Sequence, residues 1–159
     1  MARLNTKLLV SACLLGRPVR YDGKSKTIDE IGWLQELKGQ SMLIEVCPEV
    51  MGGLPVPRPP AEMVDAKIIT VQGHDVTTEF QLGAAKVLEL CRAHKVTHAL
   101  LKANSPSCGN ELVYDGTFSG TLVDGLGVTA RLLKENGIAV YSESQLAELR
   151  ADLAAAANR

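Results

Sequence analysis

The sequence predicts an α/β fold: a three-layer sandwich with a mainly parallel, Rossmann-like sheet, formed as a single domain over residues 1–159. Three observations carry this. Four short apolar runs read as strands buried on both faces, amphipathic helical segments fall between them, and no repeat, low-complexity tract or linker divides the chain. With hydrophobic residues at 46%, the chain can bury a core without help from disulfides.

In chain order the strands are "KLLVSA" (Lys7 to Ala12), "MLIEV" (Met42 to Val46), "THALLK" (Thr97 to Lys102) and "IAVYS" (Ile138 to Ser142). Helices are expected from about Asp29 to Leu37, Thr78 to His94, Gly127 to Asn136 and Ser144 to Ala157. The second begins with Thr78 and, three residues on, Gln81, the spacing of a capping box that satisfies two orphan amides. Phe80, Ala84, Val87, Leu88 and Cys91 then recur at helical spacing, so Cys91 belongs to the stripe that packs on the sheet. Gly137 of "ENG" releases the third helix into the last strand through a left-handed conformation.

Three segments punctuate this pattern. "MGGLPVPRPPAE" (Met51 to Glu62) reads as a rigid loop beside a pocket, with Arg58 its notable side chain, and "YDGTFSG" (Tyr114 to Gly120) as a hairpin with a polar tip placed to cover it. "GLGV" (Gly125 to Val128) precedes a helix but lacks the full dinucleotide fingerprint and does not follow the first strand, so no NAD site is expected.

Lys plus Arg (17) nearly balances Asp plus Glu (18), and aromatic residues are only 4%. No global field or stacking platform points to nucleic acid, so DNA is not an expected partner. No apolar run is long enough to span a bilayer, and the first residues are too short and strand-like for a signal peptide; no membrane association is expected, and the location is read as cytoplasmic. In that compartment four cysteines favour metal or catalytic use over a disulfide framework.

Cys13, Cys47 and Cys108 each follow a strand directly or after one short loop. The carboxyl ends of parallel strands line a ligand crevice, so these distant residues can meet there. Three thiolates are soft ligands suited to zinc or an iron-sulfur cluster. Pro48 and Pro106 stiffen the loops while Gly16 and Gly109 leave room beside the sulfurs, and the closely spaced cysteine pairs of a structural zinc site are absent, which favours the cluster. On three thiolates a 4Fe-4S cluster keeps one iron not bound by protein, open to act as a Lewis acid. Arg17, Arg20, Arg58 and Lys102 are candidate cations to balance its negative charge.

The motifs "LLVSACLLGRPVRYDG", "VCPEVMGGLPVPRPPAE", "GHDVTTEFQLGA", "LLKANSPSCG" and "VYDGTFSGTLVDGLGVTARLL" span nearly the whole chain, which in them resembles the short bacterial thiouracil desulfidase family. The resemblance implies an enzyme of α/β fold carrying a 4Fe-4S cluster on Cys13, Cys47 and Cys108, with Glu49 and Ser105 completing the active site. It implies a thiolated pyrimidine, 2-thiouracil or a relative, as the small-molecule partner, its C=S replaced by C=O with release of hydrogen sulfide. Glu49 is then the base for the attacking water, and Ser105 orients substrate or relays a proton. Two other readings of the same cysteines stand beside it: a sulfur-transfer accessory to tRNA thiolation, and a non-enzymatic zinc or redox-sensing module.

Overall fold

The computed structural model describes residues 7–15 and 31–157. The chain runs β1 (Leu8–Ser11), a one-turn 3-10 helix (Ala12–Leu15), α1 (Ile31–Gly39), β2 (Leu43–Val46), α2 (Pro48–Met51), β3 (Ala61–Val64), β4 (Lys67–Thr70) and α3 (Thr77–Ala93). It continues through β5 (His98–Leu101), β6 (Leu112–Tyr114), β7 (Leu122–Asp124), α4 (Val128–Glu135), β8 (Ala139–Ser142), a second 3-10 turn (Glu143–Gln145) and α5 (Leu146–Ala157).

All four predicted strands form one parallel sheet in the order β2-β1-β5-β8, with Leu9 of β1 opposite both Ile44 and Ala99. Side-chain alternation divides the core between the faces. Leu8 and Val10 of β1 point to the side of Leu34 and Leu37 of α1 and of Leu149 and Leu153 of α5. Leu9 points the other way, into the cluster of Val87, Leu88 and Cys91 of α3 with Ala130 and Leu133 of α4. Helices thus cover both faces and make the three layers expected. Cys91 is 1% exposed within the stripe assigned to it.

Two small antiparallel hairpins stand outside this sheet: β3 with β4, and β6 with β7. The second is the expected hairpin. The first emerges from what reads in sequence as proline-rich loop and its sequel, where four-residue strands are too short to show a period.

The start of α3 differs from the capping box expected at Thr78. The helix begins one residue earlier, its N-cap Val76 makes no side-chain cap, and Asp75 Oδ1 instead accepts from Thr77 N–H at 2.9 Å. Thr77 Oγ1 meanwhile accepts from Ile68 N–H at 2.8 Å, tying the helix start to β4. A full capping box does occur, at Ser142 with Gln145, opening the turn before α5. Gly137 adopts the left-handed φ of +81° that the exit from α4 requires. Of the first predicted helix, Asp29 and Glu30 lie outside the described residues, as do Gly16, Arg17 and Arg20.

Candidate active site

β1, β2 and β5 are neighbours in the sheet, so their carboxyl ends open on one crevice. Cys13 lies in the 3-10 turn after β1, Cys47 between β2 and α2, and Cys108 in the loop after β5. All three line one cavity of about 480 Å³, together with Glu49 and Ser105. Lys102 and Arg58 line it as well. None of the four cysteines is in a disulfide.

Glu49 stands in the first turn of the one-turn helix α2, where Pro48 fills the position that needs no amide hydrogen. Its carboxylate is clamped from two sides: Arg58 Nε donates to Oε1 at 3.0 Å, and Ser107 Oγ donates to Oε2 at 2.9 Å. Arg58 also donates through Nη1 to the Pro55 carbonyl at 3.0 Å, and its side chain is only 5% exposed against 16% for Glu49. The proline-rich loop thereby sets a buried guanidinium beside the carboxylate, and a buried charge needs such a partner.

Ser107 is the residue that motif reading missed. It is 2% exposed and lies between the two predicted site residues. Because its single proton goes to Glu49, the 3.3 Å contact from Ser105 Oγ is donated by Ser105. Ser105 Oγ in turn accepts from Cys108 N–H at 2.8 Å. The loop therefore builds a hydrogen-bonded line from Ser105 through Ser107 to Glu49. The only hint in sequence is the alternation of serines in "SPS", which any turn could show.

Cys108 is 4% exposed, and Ser11 Oγ donates to its sulfur at 3.7 Å, with Ser107 Oγ 3.4 Å away. Burial, and secondarily the nearby Glu49 and Cys47, push its thiol up to about 12. Cys47 is raised too, chiefly by burial. Exposed, low-pKa thiols are what a redox sensor uses, and Cys108 is the opposite. Such a sulfur becomes a thiolate when a metal cation meets it. Among the described residues no group of three or more His, Cys, Asp or Glu side chains is placed to hold a single metal ion. The three cysteines border one cavity, the space that a cluster, with each thiolate on its own iron, would occupy.

The far side of the crevice is held by a second ion pair, Lys102 Nζ to Glu143 Oε2 at 3.0 Å, while Glu143 Oε1 accepts from Ala103 N–H at 2.7 Å. The "GLGV" motif turns out to serve the cysteine loop. A Cβ on Gly127 would lie 2.5 Å from the carbonyl carbon of Ser107. The first amides of α4 are occupied by that loop: Val128 N–H donates to Pro106 O at 2.9 Å and Thr129 N–H to Ser107 O at 2.8 Å. Among the described residues no helix is long and apolar enough to cross a membrane.

Comparison with known proteins agrees with this architecture. The family model described as 2-thiouracil desulfurase matches residues 8–145. A solved structure titled 4Fe-4S-dependent thiouracil desulfidase TudS is 50% identical, superposes with a TM-score of 0.91, and is matched over 94% of this chain and 99% of that one. The uncharacterized protein YbbK of Bacillus subtilis (strain 168) is 40% identical over 152 residues, covering 89% of this chain and 99% of that protein. A match of this extent, embracing all three cavity cysteines, Glu49 and Ser105, means that the chain belongs to the 2-thiouracil desulfurase family.

Proposed function

We propose that the protein is an iron-sulfur-dependent desulfidase that converts the C=S of 2-thiouracil, or of a related thiolated pyrimidine, to C=O. The observation that carries this reading is the gathering of Cys13, Cys47 and Cys108 around one cavity beside the clamped carboxylate of Glu49. The overall reaction consumes one water and releases one hydrogen sulfide for each thiocarbonyl.

Cys13, Cys47 and Cys108 would hold a 4Fe-4S cluster through their sulfurs, leaving one iron without a protein ligand. When bound, the cluster supplies a Lewis-acidic iron for the substrate sulfur. Glu49 takes a proton from the water that attacks the thiocarbonyl carbon; Arg58 and Ser107 fix the direction of its lone pairs. Ser105, at the open end of the serine line, orients the substrate and passes protons to and from Glu49. Ser11 presents its hydroxyl to the Cys108 sulfur, stabilising its thiolate form. A reducing compartment such as the cytoplasm suits four thiols that form no disulfide.

The deciding experiment is anaerobic iron and sulfide analysis, with turnover of 2-thiouracil, for wild type and for Cys13→Ala, Cys47→Ala, Cys108→Ala and Cys91→Ala. Wild type and Cys91→Ala should bind about four irons per chain and release sulfide as the thiocarbonyl absorbance falls, while the other three variants should do neither. An iron-loaded wild type inert toward every thiolated pyrimidine would overturn the reading.

A further inference from the structure

Glu62 is a buried carboxylate with a use outside the chemistry just described. It lies on β3, 8% exposed, and its Oε1 accepts two backbone hydrogen bonds from the tip of the β6–β7 hairpin: Gly116 N–H at 2.9 Å and Phe118 N–H at 3.1 Å. A buried carboxylate is costly unless its oxygens are hydrogen-bonded, and two amides on one charged oxygen are strong partners. The tip also docks closely on β3. Gly116, at φ +93°, comes so near that a Cβ on it would lie 2.6 Å from the Met63 carbonyl oxygen.

This clasp holds an unusual residue. Phe118 has φ +57°, a left-handed conformation that a bulky side chain rarely takes and that persists only where its surroundings enforce it. Its neighbours Thr117 and Ser119 are exposed, yet Phe118 is half-buried and lines the cavity of the cysteines. The chain has few aromatic residues, with one Trp, three Tyr and two Phe. Phe80 and Tyr141 are core residues and Trp33 packs against the core, whereas Phe118 and Tyr114 both face this cavity. One part of the cavity wall is therefore polar and sulfur-rich, and another is aromatic.

Building on the desulfidase reading, we propose that Phe118, with Tyr114, forms the wall on which the flat ring of the thiolated pyrimidine stacks, and that Glu62 is the positioning residue that holds this wall in place. Stacking uses the π face common to every such ring, so the wall selects aromatic thiones by planarity and leaves the choice of substituents to the polar end. A ring with a saturated C5–C6 bond puckers and loses that contact. The device thus sets the substrate class: planar heteroaromatic thiones over saturated cyclic thioureas.

The test compares anaerobically reconstituted wild type with Phe118→Ala, Glu62→Ala and Glu62→Gln. Phe118→Ala and Glu62→Ala should raise KM for 2-thiouracil about tenfold, the size of one lost stacking contact, with kcat changed about twofold or less. Both should erase the wild-type preference for 2-thiouracil over dihydro-2-thiouracil as a competing ligand, with iron content unchanged. Amide hydrogen exchange at Gly116 and Phe118 should quicken in Glu62→Ala, and Glu62→Gln, which keeps an accepting oxygen, should recover most of the KM and the protection. Unchanged KM in Phe118→Ala, or kcat and iron content falling together in Glu62→Ala, would overturn this assignment while leaving the desulfidase reading intact. A loaded wild type without activity on thiolated pyrimidines would overturn both.

Discussion

Gly52 and Gly83 face each other where α2 crosses α3, and neither has room for a side chain. A Cβ on Gly83 would lie 1.8 Å from the Pro48 carbonyl oxygen, and one on Gly52 would lie 1.9 Å from that of Glu79. The crossing matters because α2 carries Glu49 and follows Cys47 directly. Through these two glycines the long α3, whose apolar face is buried, supports a helix of a single turn that could not hold its shape alone.

Gly83→Ala should therefore destabilise the protein. Alanine gains about 1 kcal/mol of helix propensity over glycine, but a backbone clash of this depth costs about 3 kcal/mol or more. The net loss should appear as a lower denaturation midpoint. The displaced α2 should also weaken metal loading, whereas an alanine at exposed Gly39, which nothing among the described residues crowds, should do neither.

The clamp on Glu49 predicts a graded series. Glu49→Gln removes the base with little change of shape and should lower kcat by about a hundredfold or more. Ser107→Ala leaves Glu49 charged and still paired with Arg58 but cuts the line to Ser105, so its loss should be smaller. If the serine line acts as one unit, Ser105→Ala combined with Ser107→Ala should cost little more than the worse single change, and steady-state kinetics on iron-loaded protein would measure this.

Thr129 offers a stabilising change. It is fully buried in the first turn of α4, and its Oγ1 finds no hydrogen-bond partner among the described residues. Valine keeps the shape and removes the unsatisfied group, so Thr129→Val should raise stability by about 1 kcal/mol. Denaturant melts would register the gain, and the loop carbonyls that α4 caps should stay in place.

Tyr141 gives the fold an alkaline limit. Its hydroxyl donates to Asp152 Oδ2, and burial, followed by that carboxylate, pushes the phenol up to about 12 from an ordinary value of 10.0. Between those two values the unfolded chain releases the proton while the folded one keeps it, so the unfolded state gains stability as pH rises. The contribution is whole below about pH 10 and is lost through the folded value. Tyr141→Phe should lower stability at neutral pH by about 2 kcal/mol for the lost charge-assisted bond. It should also flatten the alkaline fall, as thermal melts across that range would show.

The sequence by itself determined the four strands of the central sheet and their parallel pairing, the face of α3 that carries Cys91, and the crevice at which Cys13, Cys47 and Cys108 could meet. These follow from short-range regularities: apolar runs, helical spacing, and the rule that parallel strands end on one edge. Tertiary structure decided the rest. It bound Arg58 to Glu49 across nine residues, brought Ser107 to Glu49 across 58, and laid Glu62 against a hairpin tip 54 and 56 residues away. It also moved the start of α3 from the capping box at Thr78 to a contact with β4, because Ile68 N–H needed an acceptor that Thr77 could reach. Such partners are chosen by space and by unsatisfied polar groups, which leave no periodic trace in a chain.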